Sequence, residues 1–240
     1  MLTVITFKWK PRGNYRSKFE SHHVNVLASM VRRYYKHEHR FICVTDDPVG
    51  LGLGVEAFPL WDDHAKLPAP QNPNNPSCYR RLKIFSKQAA EWFGPRFVCL
   101  DIDTVITGDL TPVWNRPEDF VIWGGTHSRT PYNGSMLLMT AGARSQVWDQ
   151  FHPIKSPQLA KAKGYYGSDQ AWISACLGVK EARWTTMDGV FSFRNHIHEW
   201  AGRLPMGARI VFFHGQYDPW MPAVQEKHRW VRENWRLTCD

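Results

Sequence analysis

Cysteine is scarce in this chain of 240 residues, and its pattern excludes two classes of site. The cysteines are odd in number and contain no Cys-x-x-Cys pair; they are Cys43, Cys78, Cys99, Cys176 and Cys239. Neither a disulfide framework nor a cysteine-based zinc site is therefore expected. A reducing compartment fits this pattern best.

Long hydrophobic runs are also missing. No run approaches the roughly 18 apolar residues that identify a membrane-spanning helix. The first predicted strand begins at Leu2, which leaves no room for a signal peptide. The chain has no internal repeat and no low-complexity tail. We therefore expect a soluble, cytoplasmic protein.

Acidic residues are outnumbered, with 22 Asp and Glu against 30 Lys and Arg and a formal net charge of +8. This excess favours an anionic partner, such as nucleic acid, an acidic membrane surface or a phosphorylated substrate. No RNP-like, helix-turn-helix or zinc-finger pattern supports nucleic acid. The chain has 12 tryptophans, and many stand beside Arg, Lys, Gly or Pro, which suits flat faces for sugars or bases. A non-catalytic domain that binds nucleic acid or glycan stays open as an alternative.

The alternation of apolar patterns predicts an α/β fold. In the first half, strands are predicted over 2–7, 40–45, 55–60 and 97–100, helices over 17–35 and 79–92, and an irregular loop over 68–77. In the second half, strands are predicted over 120–123, 135–140 and 209–213, and helices over 168–176 and 222–235. We expect one domain over 1–240, with a nucleotide-binding half (1–107) and an acceptor-binding half (108–240).

The most informative segment is the apolar run 97–100, which is followed at once by Asp101 and Asp103. The run is typical of a buried strand of a mainly parallel sheet, and ligands bind such sheets where the strands end. Two carboxylates at that place repel each other and must both be desolvated. A divalent cation removes both costs, so the pair predicts a metal site.

Two chemistries use such a pair. Asp101 to Val105 fits the D-x-D-x-[TV] signature of haloacid-dehalogenase-like Mg²⁺ phosphatases, with Asp101 as nucleophile and Asp103 as acid/base. Those enzymes also need a later lysine and a second acidic pair. Here the comparable stretch, 167–170, lacks the second carboxylate, and residues 1–90 are left without a role. The other chemistry is sugar transfer from a nucleotide.

Further segments follow one another in an order that supports the second chemistry. They are TFKW with Tyr15 and Asn25, RFICVTDD, YRRLK at 79–83, LDIDTVI, YNGS at 132–135, GSDQ at 167–170, and FFHG to Pro219-Trp220. In this order the chain resembles bacterial and phage nucleotide-sugar glycosyltransferases related to the retaining family eight enzymes. The resemblance spans most of the chain. It implies a GT-A-type nucleotide-diphospho-sugar transferase fold, with a central mixed, mainly parallel sheet flanked by helices.

The resemblance implies a donor site for a nucleoside-diphosphate sugar, with UDP taken from the relatives. Its residues are Thr6, Phe7, Lys8, Tyr15, Asn25, Arg81, Lys83, Asp101, Ile102 and Asp103. The planar fork of Arg81 suits a phosphate, with Arg80 and Lys83 as alternatives. Tyr15 either stacks on the base or packs at the start of the helix.

The resemblance also implies a metal centre formed by Asp101, Asp103 and His214. The cation stabilises the departing diphosphate as a Lewis acid. An imidazole among the ligands points to Mn²⁺, with Mg²⁺ as the alternative. A histidine after an apolar strand is otherwise a capping or core residue.

On the sugar side, the resemblance assigns Asp169 to the sugar hydroxyls and Gln170 to the reacting carbon, where an oxocarbenium-like transition state is expected. Retention of configuration is expected from the relatives. Ser168 to Gln170 also reads as an ordinary helix start. The acceptor, a glycan, a lipid-linked glycan or another molecule, is expected to meet Gly124, Gly125, Asn133, Gly134 and Asp169, with His127 and Arg129 nearby.

Two features at the C-terminal end complete these predictions. The relatives carry lysines between the histidine and Pro-Trp, whereas this chain has Gln216-Tyr217-Asp218, so a cationic contact to the diphosphate is missing or replaced. The basic helix around Trp230 and Trp235 either packs its tryptophans on the core or rests on an anionic membrane. No obligate protein partner is evident.

Overall fold

The computed structural model describes residues 1–10, 18–126, 129–198 and 202–238. The strands of these ranges are β1 (Leu2–Lys8), β2 (His39–Thr45), β3 (Glu56–Pro59), β4 (Pro68–Ala69), β5 (Asn72–Pro76), β6 (Arg96–Leu100), β7 (Thr104–Ile106), β8 (Phe120–Gly124), β9 (Tyr132–Thr140), β10 (Ala182–Trp184), β11 (Val190–Ser192) and β12 (Ile210–Phe212). The α-helices are α1 (Ser21–Tyr34), α2 (Ala89–Phe93), α3 (Thr111–Trp114), α4 (Gln146–Asp149), α5 (Lys155–Ala162), α6 (Asp169–Leu177), α7 (Pro222–Lys227) and α8 (Arg229–Asn234). A 3₁₀ helix covers Tyr79–Phe85, and a single π-helical turn covers Phe193–Ile197.

A central sheet of seven strands has the order β10-β8-β9-β6-β1-β2-β3. The strands β3, β2, β1 and β6 are parallel, and β9 is antiparallel to both β6 and β8. The edge strand β10 is parallel to β8. The predicted mixed, mainly parallel sheet is therefore confirmed. Three strands from the second half of the chain extend the sheet that the first half begins.

Alternate residues of the central strands supply two hydrophobic cores, one on each face of the sheet. In β6, for example, Val98 and Leu100 face the core formed with α1, whereas Phe97 and Cys99 face the core formed with α2 and α6. Because both faces are covered, these strands carry no polar face. This is why their sequences are continuous apolar runs.

A second, three-stranded sheet lies against the α1 side of the molecule and has the order β11-β12-β7. Its middle strand β12 is antiparallel to β7 and parallel to β11. The turn 101–103 connects the central sheet to this sheet, because β6 ends at Leu100 and β7 begins at Thr104. The two sheets are thus joined by the segment that carries the two carboxylates.

Three predicted elements differ from the observed ones. The predicted helix 79–92 is broken, because Ser86 is extended (φ −64°, ψ 154°) between the 3₁₀ helix and α2. The predicted C-terminal helix is two helices that meet at His228, which is also non-helical (φ −119°, ψ 81°). The loop 68–77, predicted to be irregular, contains the short β4–β5 ladder. In the two helical cases, one residue with non-helical backbone angles divides a segment that the sequence presents as a single helix.

The C-terminal basic helix α8 buries its tryptophans. Trp230 and Trp235 are 8% and 9% exposed, whereas Arg229, Arg232 and Arg236 face solvent. This is the arrangement that the packing interpretation predicts. Within the described ranges, no helix has both the length and the apolar character that crossing a membrane requires.

The turn between β8 and β9 has no room for a side chain at Gly125. Its amide donates to the carbonyl oxygen of Pro131 at 2.7 Å. A Cβ atom at this position would lie 1.8 Å from the carbonyl oxygen of Thr130, and one on Gly124 would lie 3.1 Å from that of Trp184. Backbone packing alone therefore requires glycine at Gly125.

We expect Gly125→Ala to lower the free energy of unfolding by about 3 kcal/mol or more, because the clash is with backbone and a flexible side chain cannot relieve it. Urea denaturation measures the loss. A matched control is Gly207→Ala, where φ is +79° but no atom lies within 4 Å of the added Cβ, so the loss should be about 1–2 kcal/mol. Equal losses for the two variants would contradict this account.

Candidate functional site

The two carboxylates lie in a tight turn where the chain leaves the central sheet. The amide of Asp101 donates to the carbonyl oxygen of Ser135 on β9 at 2.9 Å. The hydroxyl of Thr104 donates to the carbonyl oxygen of Asp101 at 2.7 Å, and its amide donates to that of Ile102 at 2.8 Å. These bonds fix the backbone of the turn, so that the positions of both carboxylates are set by the two sheets.

A cavity of about 510 Å³ opens beside this turn. The residues predicted from the sequence that line it are Phe7, Arg81, Asp101, Ile102, Asp103, Asn133, Gly134, Asp169, Gln170 and His214. They come from both halves of the chain. The structure therefore brings together the predicted donor, metal and sugar residues at one edge of the sheet, as the topology of such sheets leads one to expect.

Arg81 is the buried centre of this cluster, with 8% of its surface exposed. Its Nη1 donates to Oδ1 of Asp101 at 2.7 Å, and its Nε lies 3.6 Å from Oδ2 of Asp169. It also donates to the carbonyl oxygen of Gly134. Burial lowers the pKa of Arg81, but the charges of Asp101 and Asp169 outweigh burial and raise it well above the ordinary value. Arg81 thus contacts the protein's own carboxylates, a different contact from the predicted one to phosphate.

Asp169 begins α6 and is buried beside Arg81. Burial raises the pKa of Asp169, and the charge of Arg81 partly offsets this. The backbone of β9 approaches closely, because a Cβ on Gly134 would lie only 3.2 Å from Oδ2 of Asp169. The absence of a side chain at Gly134 therefore keeps Asp169 at the wall of the cavity.

The amide group of Gln170 is oriented by hydrogen bonds at both ends. Its Nε2 donates to the carbonyl oxygen of Tyr166 at 2.9 Å, and its Oε1 accepts from the amide of Gly134 at 3.4 Å. The side chain thus bridges β9 and the loop before α6. This fixes which end of the amide faces each wall of the cavity.

Asp103 has an unfavourable electrostatic environment. Burial raises the pKa of its carboxyl group well above the ordinary value, and the charges of Asp101 and Asp218 raise it further. A hydrogen bond from its own backbone amide and the charge of Arg81 oppose this rise. No cation in the described parts of the chain forms an ion pair with Asp103. A cation near this carboxylate would oppose the rise in its pKa.

His214 is brought beside Asp103 by the small sheet. Phe212 on β12 is opposite Thr104, and the amide of Phe213 donates to the carbonyl oxygen of Asp103 at 2.8 Å. The Nε2 of His214 lies 2.7 Å from the hydroxyl oxygen of Ser192, which fixes the ring. Burial and the nearby charge of Arg194 lower the pKa of His214, which favours the neutral form that can bind a metal.

The donor set suits a divalent cation. Two carboxylates that repel each other and one neutral imidazole are the ligand types that Mn²⁺ and similar ions take. Within the described ranges, no three side chains of His, Cys, Asp or Glu are already gathered around one point at metal-binding distance. The three side chains are therefore of the right chemical type for such an ion, and they would have to move closer together to bind it.

Two of the predicted donor residues lie away from the cavity. The ammonium of Lys83 is 2.6 Å from Oδ2 of Asp63 and lies about 6 Å or less from the ring centres of Trp61, Trp92 and Trp148. The hydroxyl of Thr6 donates to the carbonyl oxygen of Leu100 at 2.8 Å and so joins β1 to β6. Both side chains have a structural partner instead of the predicted ligand contact.

Lys8 and Asn25 line a neighbouring cavity of about 400 Å³. It shares Trp9 and Phe19 with the first cavity. The ammonium of Lys8 donates to the carbonyl oxygen of Asp47 at 2.6 Å, and the Asn25 side chain bonds to the loop 50–52 through both its ends. These residues hold the loops around the second cavity.

The remaining predicted residues are placed as follows. Tyr15 and His127 lie outside the described residues. Gly124 and Gly125 do not line the first cavity, and backbone packing accounts for both glycines. Arg129 lies with its side chain close to Gly164 and does not line the cavity either.

Sequence reasoning missed several residues that line the cavity, among them Tyr166, Arg194 and Asn195, and it named Trp9 only as part of the segment TFKW. The side-chain amide of Asn195 donates to the carbonyl oxygen of Thr126 at 2.7 Å. One signal was present. GVFSFRN at 189–195 repeats the pattern of RIVFFHG at 209–215, an apolar strand that ends in an aromatic residue and then a basic one.

Comparison with solved structures identifies the fold. The galactosyltransferase LgtC, solved in complex with donor and acceptor sugar analogues, superimposes with a TM-score of 0.62 at 14% identity, over 98% of this chain and 97% of that one. GlyE, a glycosyltransferase of Streptococcus pneumoniae TIGR4, superimposes with a TM-score of 0.59 at 12% identity, over 98% of this chain and 62% of that one. The bifunctional glycosyltransferase WbbM superimposes with a TM-score of 0.61 at 11% identity, over 99% of this chain and 50% of that one.

The fold expected from the resemblance, that of GT-A-type glycosyltransferases, is therefore confirmed. The chain spans nearly all of LgtC, but only 62% of GlyE and half of WbbM. No protein-family model matches the sequence. No curated protein matches it either.

We expect Asp103→Asn to raise the melting temperature by a few degrees at pH 7 without divalent cations, because the substitution removes a half-buried carboxylate close to the charges of Asp101 and Asp218. A raised pKa in the folded state means that wild-type stability falls as the pH rises from the ordinary carboxyl range through that raised value. The advantage of the variant should therefore shrink on acidification.

Thermal melts at several pH values, with and without Mn²⁺, measure this. Mn²⁺ should stabilise the wild type and leave Asp103→Asn almost unchanged. Asp149→Asn, at an exposed position, is the matched control and should melt like the wild type in all conditions. A variant that is less stable than the wild type at pH 7 without metal would contradict the account.

Proposed function

We propose that this protein is a metal-dependent glycosyltransferase that moves a sugar, a hexose, from a nucleoside-diphosphate donor to a glycan, a lipid-linked glycan or another acceptor. The observation that carries the proposal is the turn of Asp101 and Asp103 between the two sheets, at the wall of a cavity that also holds Asp169 and Gln170. The fold shared with LgtC, which was solved with donor and acceptor sugar analogues, supports it.

In this proposal, Asp101 and Asp103 hold the cation with His214 as a further ligand. The cation, Mn²⁺ or Mg²⁺, supplies Lewis-acid stabilisation of the diphosphate leaving group. The protein's own contribution is to fix the ligands before the donor arrives. Arg81 holds Asp101, and Ser192 holds His214, at the distances given above.

On the sugar side, Asp169 binds hydroxyl groups of the transferred sugar and Gln170 lies beside the reacting carbon. The positive charge that develops on the sugar ring in the transition state favours a wall rich in carboxylate and carbonyl oxygens. Asp169 supplies a carboxylate oxygen. Gln170 supplies a carbonyl oxygen, and the two hydrogen bonds of its side-chain amide fix the orientation of that oxygen. In LgtC, too, a glutamine belongs to the active site, since one LgtC structure is that of an active-site mutant in which glutamate replaces a glutamine.

The phosphatase alternative receives no support. The structural relatives are glycosyltransferases. Phosphatase chemistry of that type also needs a lysine near the nucleophile, and no lysine of the described ranges lines the first cavity. In addition, one oxygen of Asp101 is held by Arg81, which restrains the carboxylate that would have to act as nucleophile.

We expect a nucleoside diphosphate to stabilise the protein only when a divalent cation is present, because Asp101 and Asp103 would repel the phosphates unless a cation held by these carboxylates offset their charge. A thermal-shift series with UDP, GDP, CDP and ADP, each with and without Mn²⁺, tests this. At 100 times the dissociation constant the gain should be about 2.7 kcal/mol. UDP is the expected ligand. If no nucleotide stabilises the protein with metal present, the proposal of a donor site is wrong. A non-catalytic domain that binds nucleic acid or glycan then becomes the better interpretation.

We expect the transferred sugar to keep its anomeric configuration. The measurement is an NMR spectrum of the glycosidic product, whose new acetal carbon does not mutarotate, formed from a sugar donor that carries the nucleotide selected by the thermal-shift series. The coupling constant of the anomeric proton distinguishes the two outcomes. An inverted product would contradict retention and leave the donor site itself intact.

A further inference from the structure

The charged residues that line the first cavity are mostly acidic. Among the described residues they are Asp101, Asp103 and Asp169, against Arg81 and Arg194. A diphosphate brings at least two more negative charges. One divalent cation neutralises part of this total, so a side-chain cation is needed on the same side of the cavity.

Arg81 cannot easily supply that charge. Its guanidinium is buried, donates hydrogen bonds to Asp101 and to the carbonyl oxygen of Gly134, and forms an ion pair with Asp169. A phosphate would have to displace a carboxylate that belongs to the proposed cation site. Breaking such a buried pair leaves a charge without a partner, which is costly. Among the described residues that line the cavity, this leaves Arg194 as the other side chain with a fixed positive charge.

The small sheet places Arg194 in line with the proposed metal ligands. Asp103 directly precedes β7, His214 follows β12 by two residues, and Arg194 follows β11 by two residues. Because β12 is parallel to β11 and antiparallel to β7, these three residues come to the same edge of the sheet. Neighbouring strands are about 4.8 Å apart, so the backbones of Asp103 and Arg194 are separated by roughly 10 Å across this edge.

Local contacts hold Arg194 at that edge. Phe193 stacks on Phe213, with ring centres 4.2 Å apart and planes at 17°. The hydroxyl of Ser192 contacts His214 and accepts from the amide of Asn195 at 3.1 Å. The Nη1 of Arg194 lies 3.3 Å from the place where a Cβ on Gly215 would stand. The guanidinium therefore packs against the backbone of Gly215, which has no side chain and directly follows His214.

The guanidinium of Arg194 faces solvent, and no carboxylate of the described ranges forms an ion pair with it. Within those ranges its charge is therefore not neutralised by a carboxylate, unlike that of Arg81. The planar guanidinium can bind two phosphate oxygens at once. The adjacent loop 216–218 has the sequence Gln-Tyr-Asp and supplies no cation of its own.

We propose that Arg194 binds the diphosphate of the sugar donor and supplies, from the end of β11, the positive charge that the loop after His214 lacks. This inference rests on the proposed function, because it takes the cavity to be a donor site. It adds a residue that no motif in the sequence identified. Arg194 acts on the leaving group, whereas Arg81 acts only through the two carboxylates that it positions.

Isothermal titration calorimetry in the presence of Mg²⁺ tests the inference, with UDP and with inorganic pyrophosphate as a probe without base or sugar. For Arg194→Ala we expect both affinities to fall by about 10- to 100-fold, the usual range for a lost charge-assisted contact. Arg194→Lys keeps the charge but loses the fork, so its affinities should lie between those of the wild type and Arg194→Ala. Mg²⁺ affinity without nucleotide should not fall in either variant.

Arg232→Ala is the matched control, because it removes an exposed arginine of α8 that lines neither cavity. It should bind both probes like the wild type. If Arg194→Ala binds both probes within twofold of the wild type, or loses affinity for UDP alone, the inference is overturned. If Arg194→Ala does not fold, Arg194→Lys decides by the same criteria. Failure of the wild type to bind either probe would instead overturn the proposed donor site.

Discussion

The ion pairs of Arg81 with Asp101 and Asp169 are the interaction on which the site depends most. They connect the 3₁₀ helix of the first half, the end of β6 and the start of α6. Removing one partner of such a buried cluster typically costs 3–5 kcal/mol, since the remaining charges stay buried. The same guanidinium keeps two acidic groups of the cavity apart and in place. Positioning of the site and stability of the surrounding fold therefore come from one side chain.

The turn of Asp101 and Asp103 has a similar double role. It joins the central sheet to the small sheet, and hydrogen bonds from Thr104 fix its backbone. The fold thereby brings carboxylates close together that would separate in an unfolded chain. That repulsion weakens the protein without a ligand and increases its affinity for a cation. The carboxylates are thus a cost to the fold and a benefit to the proposed function.

Much of this arrangement could be predicted from the sequence, because the strands β1, β2 and β6 are long apolar runs with clear ends. The strands β7, β10 and β11 have three residues each, which is too short for a periodic pattern. Missing β11 meant that Arg194 had no predicted place. The sequence also could not show which basic residue of 79–83 points inward, because only their tertiary partners distinguish them. Arg81 meets carboxylates in the cavity, Arg80 donates to the carbonyl oxygen of Trp61, and Lys83 donates to the carboxylate of Asp63.

Three side chains of different charge lie at one end of the strands of the small sheet. They are the carboxylate of Asp103, the imidazole of His214, whose pKa is lowered, and the guanidinium of Arg194, in that order. Charge therefore changes sign over about two strand spacings, roughly 10 Å. Such a gradient acts as a fixed dipole at the wall of the cavity. A ligand with one strongly anionic end has a lower energy in one orientation than in the reverse, so the strand order of the small sheet favours one orientation of a bound molecule.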